Sequence, residues 1–172
     1  VIVLERVADA KRRGAQIFAE VAGSHSTSEG GNPFIVQRNG DAVARAVSGA
    51  LRSAGMNVRD LDSIQSHGVG LSMYDKAEVA AYKTALGDHA YRVPISSVKS
   101  MTGQPYSVGG LLGIASGCMS LTTGIVAPTI NLDEPAENCD LDFVPNEARL
   151  NAPNNVLISA MSFGGTHGSI VL

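Results

Sequence analysis

Tryptophan is absent from this sequence, and aromatic residues make up only 5% of its 172 positions. There is no basic run either, since 13 Lys and Arg stand against 16 Asp and Glu for a formal charge of −3. A surface that tracks phosphates or stacks bases needs clustered cations and rings, so nucleic acid is not an expected partner. Cysteine is scarce. Cys118 and Cys139 make no C-x-x-C pair and have no tight His/Cys cluster beside them. That argues against a disulfide framework and a structural zinc site, and it fits a reducing cytoplasm. No apolar run approaches the roughly 20 residues that cross a bilayer. There is no initiator Met and no charged leader ahead of Val1-Ile2-Val3-Leu4-Glu5, so the start reads as a chain entered part-way. What is present is 44% hydrophobic and 17% charged residues, enough for one packed core or half of a larger one.

Val1–Leu4 and Gln16–Val21 read as short apolar strands separated by a solvated turn at Lys11-Arg12-Arg13-Gly14. Residues 23–39, dense in Ser, Gly, Asn and Pro, have the composition of a long surface loop. From Asp41, placed as an N-cap, apolar residues recur at Val43, Ala46, Val47, Ala50, Leu51 and Ala54, with Gly55 to end the helix. Ser63–Ser66 predicts a strand delivering His67-Gly68. A second helix follows from Asp75, with Ala77, Ala80, Ala81 and Thr84 on one face and Gly87 closing it, and then a strand over 92–97. Ser107–Leu121 has helical spacing but contains Gly109, Gly110, Gly113 and Gly117. Each glycine costs about 1 kcal/mol relative to Ala, so this helix is expected to be buried on most sides. Two strands, around Val156–Ala160 and Ser169–Leu172, finish the chain. Strands alternating with helices predict an α/β fold with a mixed sheet.

Taken singly, the candidate groups are weak. His67 after a strand is commonly a satisfied polar residue, Lys99 alone reads as a surface cation, and Gly164-Gly165 between strands is a tight turn. His25 and His89 sit in polar contexts and receive no role. Gly109-Gly110 lacks the spacing of a phosphate loop.

The ordered set is stronger. His67-Gly68, then Asp75-Lys76-Ala77-Glu78, Ser97-Val98-Lys99-Ser100-Met101-Thr102-Gly103, Pro128-Thr129-Ile130-Asn131-Leu132-Asp133, Cys139-Asp140-Leu141-Asp142-Phe143-Val144-Pro145-Asn146-Glu147-Ala148-Arg149, and Ser162-Phe163-Gly164-Gly165-Thr166 together resemble the carboxy-terminal half of β-ketoacyl-acyl-carrier-protein synthases. The resemblance implies a thiolase-like fold, in which two pseudo-symmetric halves build a five-layered α/β/α/β/α sandwich, usually as a dimer. Residues 1–172 would be one half, with the amino-terminal half absent. It further implies that a nucleophilic Cys of the missing half takes the acyl chain, while two histidines of this half act on the malonyl extender. Neither Cys118, in the glycine-rich helix and expected in the core, nor Cys139, expected in a loop, matches the nucleophile. By the resemblance, His67 is the first catalytic histidine, Lys99 organises the site, and Phe163 with Gly164 and Gly165 gates it. Phosphopantetheine enters only as the arm of an acyl carrier protein, and no cofactor or metal is expected.

Several positions depart from the family pattern. Gln104 stands where the second histidine belongs, and an amide donates a hydrogen bond but moves no proton near neutral pH. Val69 and Leu71 replace hydroxyl residues that meet the pantetheine arm, Gly113 replaces an acid supporting Lys99, and Met161-Ser162 and His167 replace Phe-Gly and Asn. His167 is placed either at the site, reached from the Phe163 turn, or simply packed. This combination resembles the chain-length factor, the non-elongating partner of an active ketosynthase in type II polyketide systems, although retained His67 is unlike most such partners. The leading expectation is therefore a cytoplasmic, non-elongating subunit that pairs with a ketosynthase or its complementary half. The alternative is an active condensing enzyme with a modified site. A half-domain whose sole task is docking is a third.

Overall fold

The computed structural model describes residues 1–32 and 34–172. Its frame is a five-stranded sheet of order β1-β7-β6-β2-β3, formed by β1 (Gly23–Ser28), β2 (Ser63–Gln65), β3 (Ile95–Ser96), β6 (Val156–Met161) and β7 (Thr166–Val171). β2 runs parallel to β3 and β6, whereas β7 is antiparallel to both β6 and β1. The sheet is therefore mixed, as expected. Two longer helices, α2 (Asp41–Ala54) and α3 (Ser72–Leu86), cover one face, and α5 (Gly109–Thr123) covers the other. The short helices α1 (Val7–Arg12) and α4 (Lys99–Thr102) and a two-stranded ribbon of β4 (Ile125–Val126) and β5 (Arg149–Leu150) complete the chain. Among the described residues no helix is long and apolar enough to cross a membrane.

Residue chemistry explains the main elements. The apolar stripe of α2 buries Val43, Val47, Ala50 and Leu51, and Gly55 ends the helix in the left-handed conformation with its N–H returned to Arg52 O. Val47, Leu51, Val79 and Tyr82 then meet Ile64, Leu157, Ile95 and Val171 of the sheet in the largest core cluster. Gly40, not Asp41, is the N-cap of α2 and adopts φ +66. A Cβ there would lie 2.1 Å from Ala77 O, so this glycine lets α2 and α3 approach.

Several expectations fail. Val1–Leu4 is not a buried strand: its residues are largely exposed and pair with nothing, and Gln16–Val21 is likewise irregular, with Ile17, Phe18 and Val21 exposed. Short apolar runs do not by themselves distinguish a strand from a segment that awaits a partner. The basic stretch at 11–14 is mostly the last turn of α1, held by Asp9 to Arg12, with only Gly14 in the left-handed region. The expected loop 23–39 instead begins with β1, a polar edge strand recruited by β7, and His25 lies in it, facing Gly49 of α2. Pro33, within that expected loop, lies outside the described residues. The helix α5 is not buried on most sides. Gly109, Gly113, Gly117 and Ser120 face inward, while Leu111, Ala115 and Met119 are exposed. The two cysteines also exchange places: Cys139 joins the core despite its loop backbone, and Cys118 is only half-buried.

Candidate active site

The site is built where β2 ends. Backbone pairing to β3 continues through Ser66 N–H, which donates to Ser96 O at 2.8 Å, and the chain then turns at His67-Gly68. Glu78 of α3 secures that turn. Its Oε1 accepts from His67 N–H at 2.7 Å and its Oε2 from Gly68 N–H at 2.9 Å, while the Tyr82 hydroxyl also donates to it. A buried carboxylate is tolerated because three donors replace its water. Asp75 holds the next residue, accepting from Val69 N–H at 3.1 Å. Burial pushes the Asp75 carboxyl from 3.8 up to about 6.

His67 itself is buried, and its Nδ1 accepts from Met161 N–H at 3.3 Å. An Nδ1 that accepts leaves Nε2 to carry the proton. Burial pushes the His67 pKa below its ordinary value; Glu78 opposes this, while Lys99 and His167 reinforce it. The imidazole is thus neutral at pH 7, with one N–H to donate. Lys99 is not a surface cation. It is buried at the start of α4, and its Nζ donates to His67 O. Desolvation lowers its pKa, against the attraction of Glu78 and Asp75. A Cβ on Gly109 would come within 3.0 Å of Lys99 Cε, so the first glycine of α5 makes room for the lysine stem.

Two cavities flank this turn. One, of about 420 Å³, is lined by His67, Leu71, Tyr74, Gln104 and Phe163, among others. The other, of about 390 Å³, is lined by Lys99, Asp75, Ser97 and Cys139 and by apolar walls from Ile130, Leu132 and Phe143. Val69 and Gln104 border both. Among the sequence-predicted residues, His67, Gln104 and Phe163 therefore share one cavity, and Lys99 lines the other while holding the His67 carbonyl. Gln104 is exposed at the mouth, and Phe163 is 57% exposed with its ring edge-on to Tyr74 at 5.9 Å. Gly164 and Gly165 do not line the cavity; their positive φ values, +89 and +70, form the turn between β6 and β7. His167 does not face it either. That ring is packed inside, with Nε2 2.8 Å from Glu29 Oε1. Outside the site, His89 Nε2 is 2.9 Å from Leu61 O.

The later motifs form the floor. Thr129 Oγ1 accepts from Ser97 N–H at 3.1 Å, and Ser100 Oγ accepts from Ile130 N–H at 2.9 Å, so the 128–133 segment is fastened beneath α4. An Arg149–Asp142 ion pair ties the 139–149 segment together. Sequence reasoning left Glu78 without a role, although an acid on the same helical face as Tyr74, Ala77, Ala81 and Tyr82 was a legible signal of a buried, partnered carboxylate. It also missed Tyr74, whose ring lies 6.1 Å from that of His67. Among the described residues, no group of three or more His, Cys, Asp or Glu is arranged to hold a metal ion.

A family model described as the C-terminal domain of beta-ketoacyl synthase matches residues 18–133. The chain belongs to this family. Over 172 residues it is 40% identical to the ketoacyl synthase alpha subunit of the tetracenomycin polyketide synthase of Streptomyces glaucescens, covering 100% of this chain and 40% of that protein. It is 36% identical to 3-oxoacyl-[acyl-carrier-protein] synthase 2 of Coxiella burnetii, covering 99% of this chain and 41% of that one. Among solved structures it resembles a type II polyketide ketosynthase, bound to a hexaketide and in complex with its acyl-carrier protein, at a TM-score of 0.93 and 33% identity, over 96% of this chain and 40% of that one. It also resembles the ishigamide ketosynthase/chain length factor, at a TM-score of 0.90 and 32% identity, over 96% of this chain and 40% of that one. The fold is thus the thiolase-like α/β arrangement of the ketosynthases, in its carboxy-terminal half. The chain spans about 40% of the length of these relatives.

Proposed function

We propose that this chain is the extender-binding half of a β-ketoacyl synthase subunit of fatty acid or type II polyketide assembly. In this reading the subunit is a non-elongating, chain-length-factor-like partner in the cytoplasm. It works beside a complementary amino-terminal half, in a dimer with a ketosynthase, and receives its acyl groups on the phosphopantetheine arm of an acyl carrier protein. The observation that carries the reading is Gln104, exposed and bordering both cavities, one of which it lines together with His67.

Decarboxylative condensation breaks the bond between the malonyl carboxylate and its α-carbon. CO₂ leaves, and the electron pair moves into an enolate whose oxygen needs donors. The α-carbon then attacks an acyl thioester, a carbon–carbon bond forms and the thiolate leaves. His67 Nε2–H is a preformed donor for the enolate oxygen, and its backbone is held by Glu78 and Lys99. Gln104 supplies a second, neutral donor from an exposed side chain, without imidazole geometry and without proton transfer. Loss of one such donor costs about 3 kcal/mol, a factor of about a hundred in rate. Leu71 and Val69 offer the arm apolar contact in place of hydroxyl partners.

The test is malonyl-carrier-protein decarboxylation by the full-length subunit. The expected result is a rate about a hundredfold below that of an active ketosynthase, raised at least tenfold by Gln104→His. An ordinary ketosynthase rate in the unmodified subunit overturns the reading. That outcome would favour the second reading, an active condensing enzyme, which is supported by the intact His67–Glu78–Lys99 arrangement and by the alpha-subunit relative.

A further inference from the structure

A second group of buried polar residues lies behind the site, at the far end of the β6–β7 turn. Glu29, just after β1, and His167, on β7, meet at 2.8 Å between Oε1 and Nε2, with each side chain only 1% exposed. Neither residue belongs to the cavity that holds His67. Burying such a pair is unfavourable unless its geometry is well satisfied, and among the described residues His167 Nδ1 has no hydrogen-bond partner. Burial of two such polar side chains against each other calls for a reason beyond packing.

The contacts of Glu29 supply one. Its own N–H donates to Gly165 O at 2.9 Å, so it holds the turn by backbone as well as by side chain. Its carboxylate accepts from Gln37 N–H at 3.1 and 3.2 Å, and its carbonyl accepts from Gln37 Nε2 at 3.4 Å. Gly165 has φ +70, and a Cβ on it would lie 3.1 Å from Glu29 Cβ, so the turn sits directly on this side chain. Within the turn, Ser162 N–H donates to Thr166 O at 2.9 Å and Gly165 N–H to Ser162 O at 3.3 Å. Phe163, at the tip, leans on Tyr74, and Tyr74 lies beside His67. Three elements thus converge: the segment after β1 grips the turn, the turn carries Phe163, and Phe163 borders the cavity.

We propose that Glu29 and His167 are a pair of positioning residues that seat the Phe163 turn against Tyr74 and so set the width of the cavity mouth beside His67. The pair touches neither substrate nor the reacting atoms; it acts through Phe163. The neutral form suffices, because His167 Nε2–H can donate to Glu29 and a glutamine at position 29 would still accept. The consequence for acyl-group entry rests on the function proposed above, whereas the seating of the turn does not.

The experiment compares Glu29→Ala, Glu29→Gln and His167→Ala in the full-length subunit by amide hydrogen exchange and by steady-state kinetics with an acyl carrier protein thioester. Glu29→Ala and His167→Ala are expected to raise exchange at Ser162 and Gly165 at least tenfold, with Leu157 and Val171 unchanged, while Glu29→Gln stays within threefold of the parent. KM for the carrier thioester is expected to change about tenfold with kcat within twofold. If Glu29→Ala does not fold, His167→Asn takes its place with the same expectation. Unchanged exchange at the turn, or an equal rise along the whole of β6 and β7, overturns the positioning role, as does a fall in kcat at constant KM. An ordinary ketosynthase rate in the unmodified subunit overturns the proposed function but not the seating of the turn, and where turnover is too slow to give a KM the exchange pattern alone decides the role of the pair.

Discussion

At the scale of single residues, the site depends on groups that sit just behind the cavity wall. Glu78 satisfies two backbone donors and one hydroxyl, so Glu78→Ala leaves all three buried without an acceptor. The expected loss is about 3 kcal/mol of stability, read from chemical denaturation, with Glu78→Gln losing less than half of that. Asp75 behaves in the opposite sense. Its carboxyl is raised from 3.8 to about 6 in the fold by burial. Between those values the native state binds more protons than the unfolded chain, so stability falls as pH rises from about 4 to 6 and the penalty persists above 6. Each unit is worth about 1.4 kcal/mol before any discount for partial exposure. Asp75→Asn keeps an acceptor for Val69 N–H and is expected to raise the melting temperature at pH 8 but not at pH 4. Parallel melting curves at the two pH values would contradict this. His67 and Gln104 were legible as a pair from their motifs, since His-Gly and Lys-Ser-Met-Thr-Gly are short and contiguous. The neutral tautomer of His67 was not, because it depends on Met161 N–H, 94 residues away along the chain.

At the scale of elements, glycine decides which neighbours can meet. Gly40 and Gly55 both take positive φ at the ends of α2, +66 and +68, but their surroundings differ. A Cβ at position 40 would strike Ala77 O, whereas nothing lies within 4 Å of position 55. Gly55→Ala is therefore expected to cost about 1 kcal/mol, the backbone penalty alone. Gly40→Ala should cost about 3 kcal/mol or more, because α2 must also move away from α3. Equal losses on urea titration would show that the close approach does not matter. The two helices themselves were legible, as their apolar periodicity and terminal glycines are local. β1 was not: its Gly-Ser-His-Ser-Thr-Ser sequence has loop composition and becomes a strand only because β7 offers an open edge. The opposite error occurred at Val1–Leu4 and Gln16–Val21, where apolar residues without a strand partner remained irregular.

At the scale of the whole molecule, α5 carries two contrasting stripes. Gly113 and Gly117 lie against Ile158, with would-be Cβ contacts of 3.0 and 2.8 Å, and so bring the helix close to the sheet. Leu111, Ala115 and Met119, on the other side, are exposed apolar residues at intervals of one helical turn. An apolar stripe of this kind marks a surface that another layer covers, in keeping with the complementary half proposed above. Leu111→Ser with Met119→Ser is expected to leave the melting temperature of residues 1–172 nearly unchanged. In the full-length subunit the same pair should lower it by about 5 °C. A similar fall in both would place these side chains in the packing of this half itself.

The sequence by itself determined the α/β class, the main helices, the β6–β7 hairpin and the family, because these rest on local periodicity and on contiguous motifs. It also supplied, through the resemblance, the expectation that Gln104 stands where the family has a second histidine. Only the tertiary structure decided that Lys99 is buried beneath the His67 carbonyl, that Glu78 carries the turn, that Cys139 is core and Cys118 is not, and that His167 turns away toward Glu29. These depend on contacts between separate elements, from Glu78 on the helix that follows His67 to His167 and Glu29 at opposite ends of the chain, and burial, hydrogen-bond partners and protonation are set by such contacts rather than by immediate neighbours in sequence.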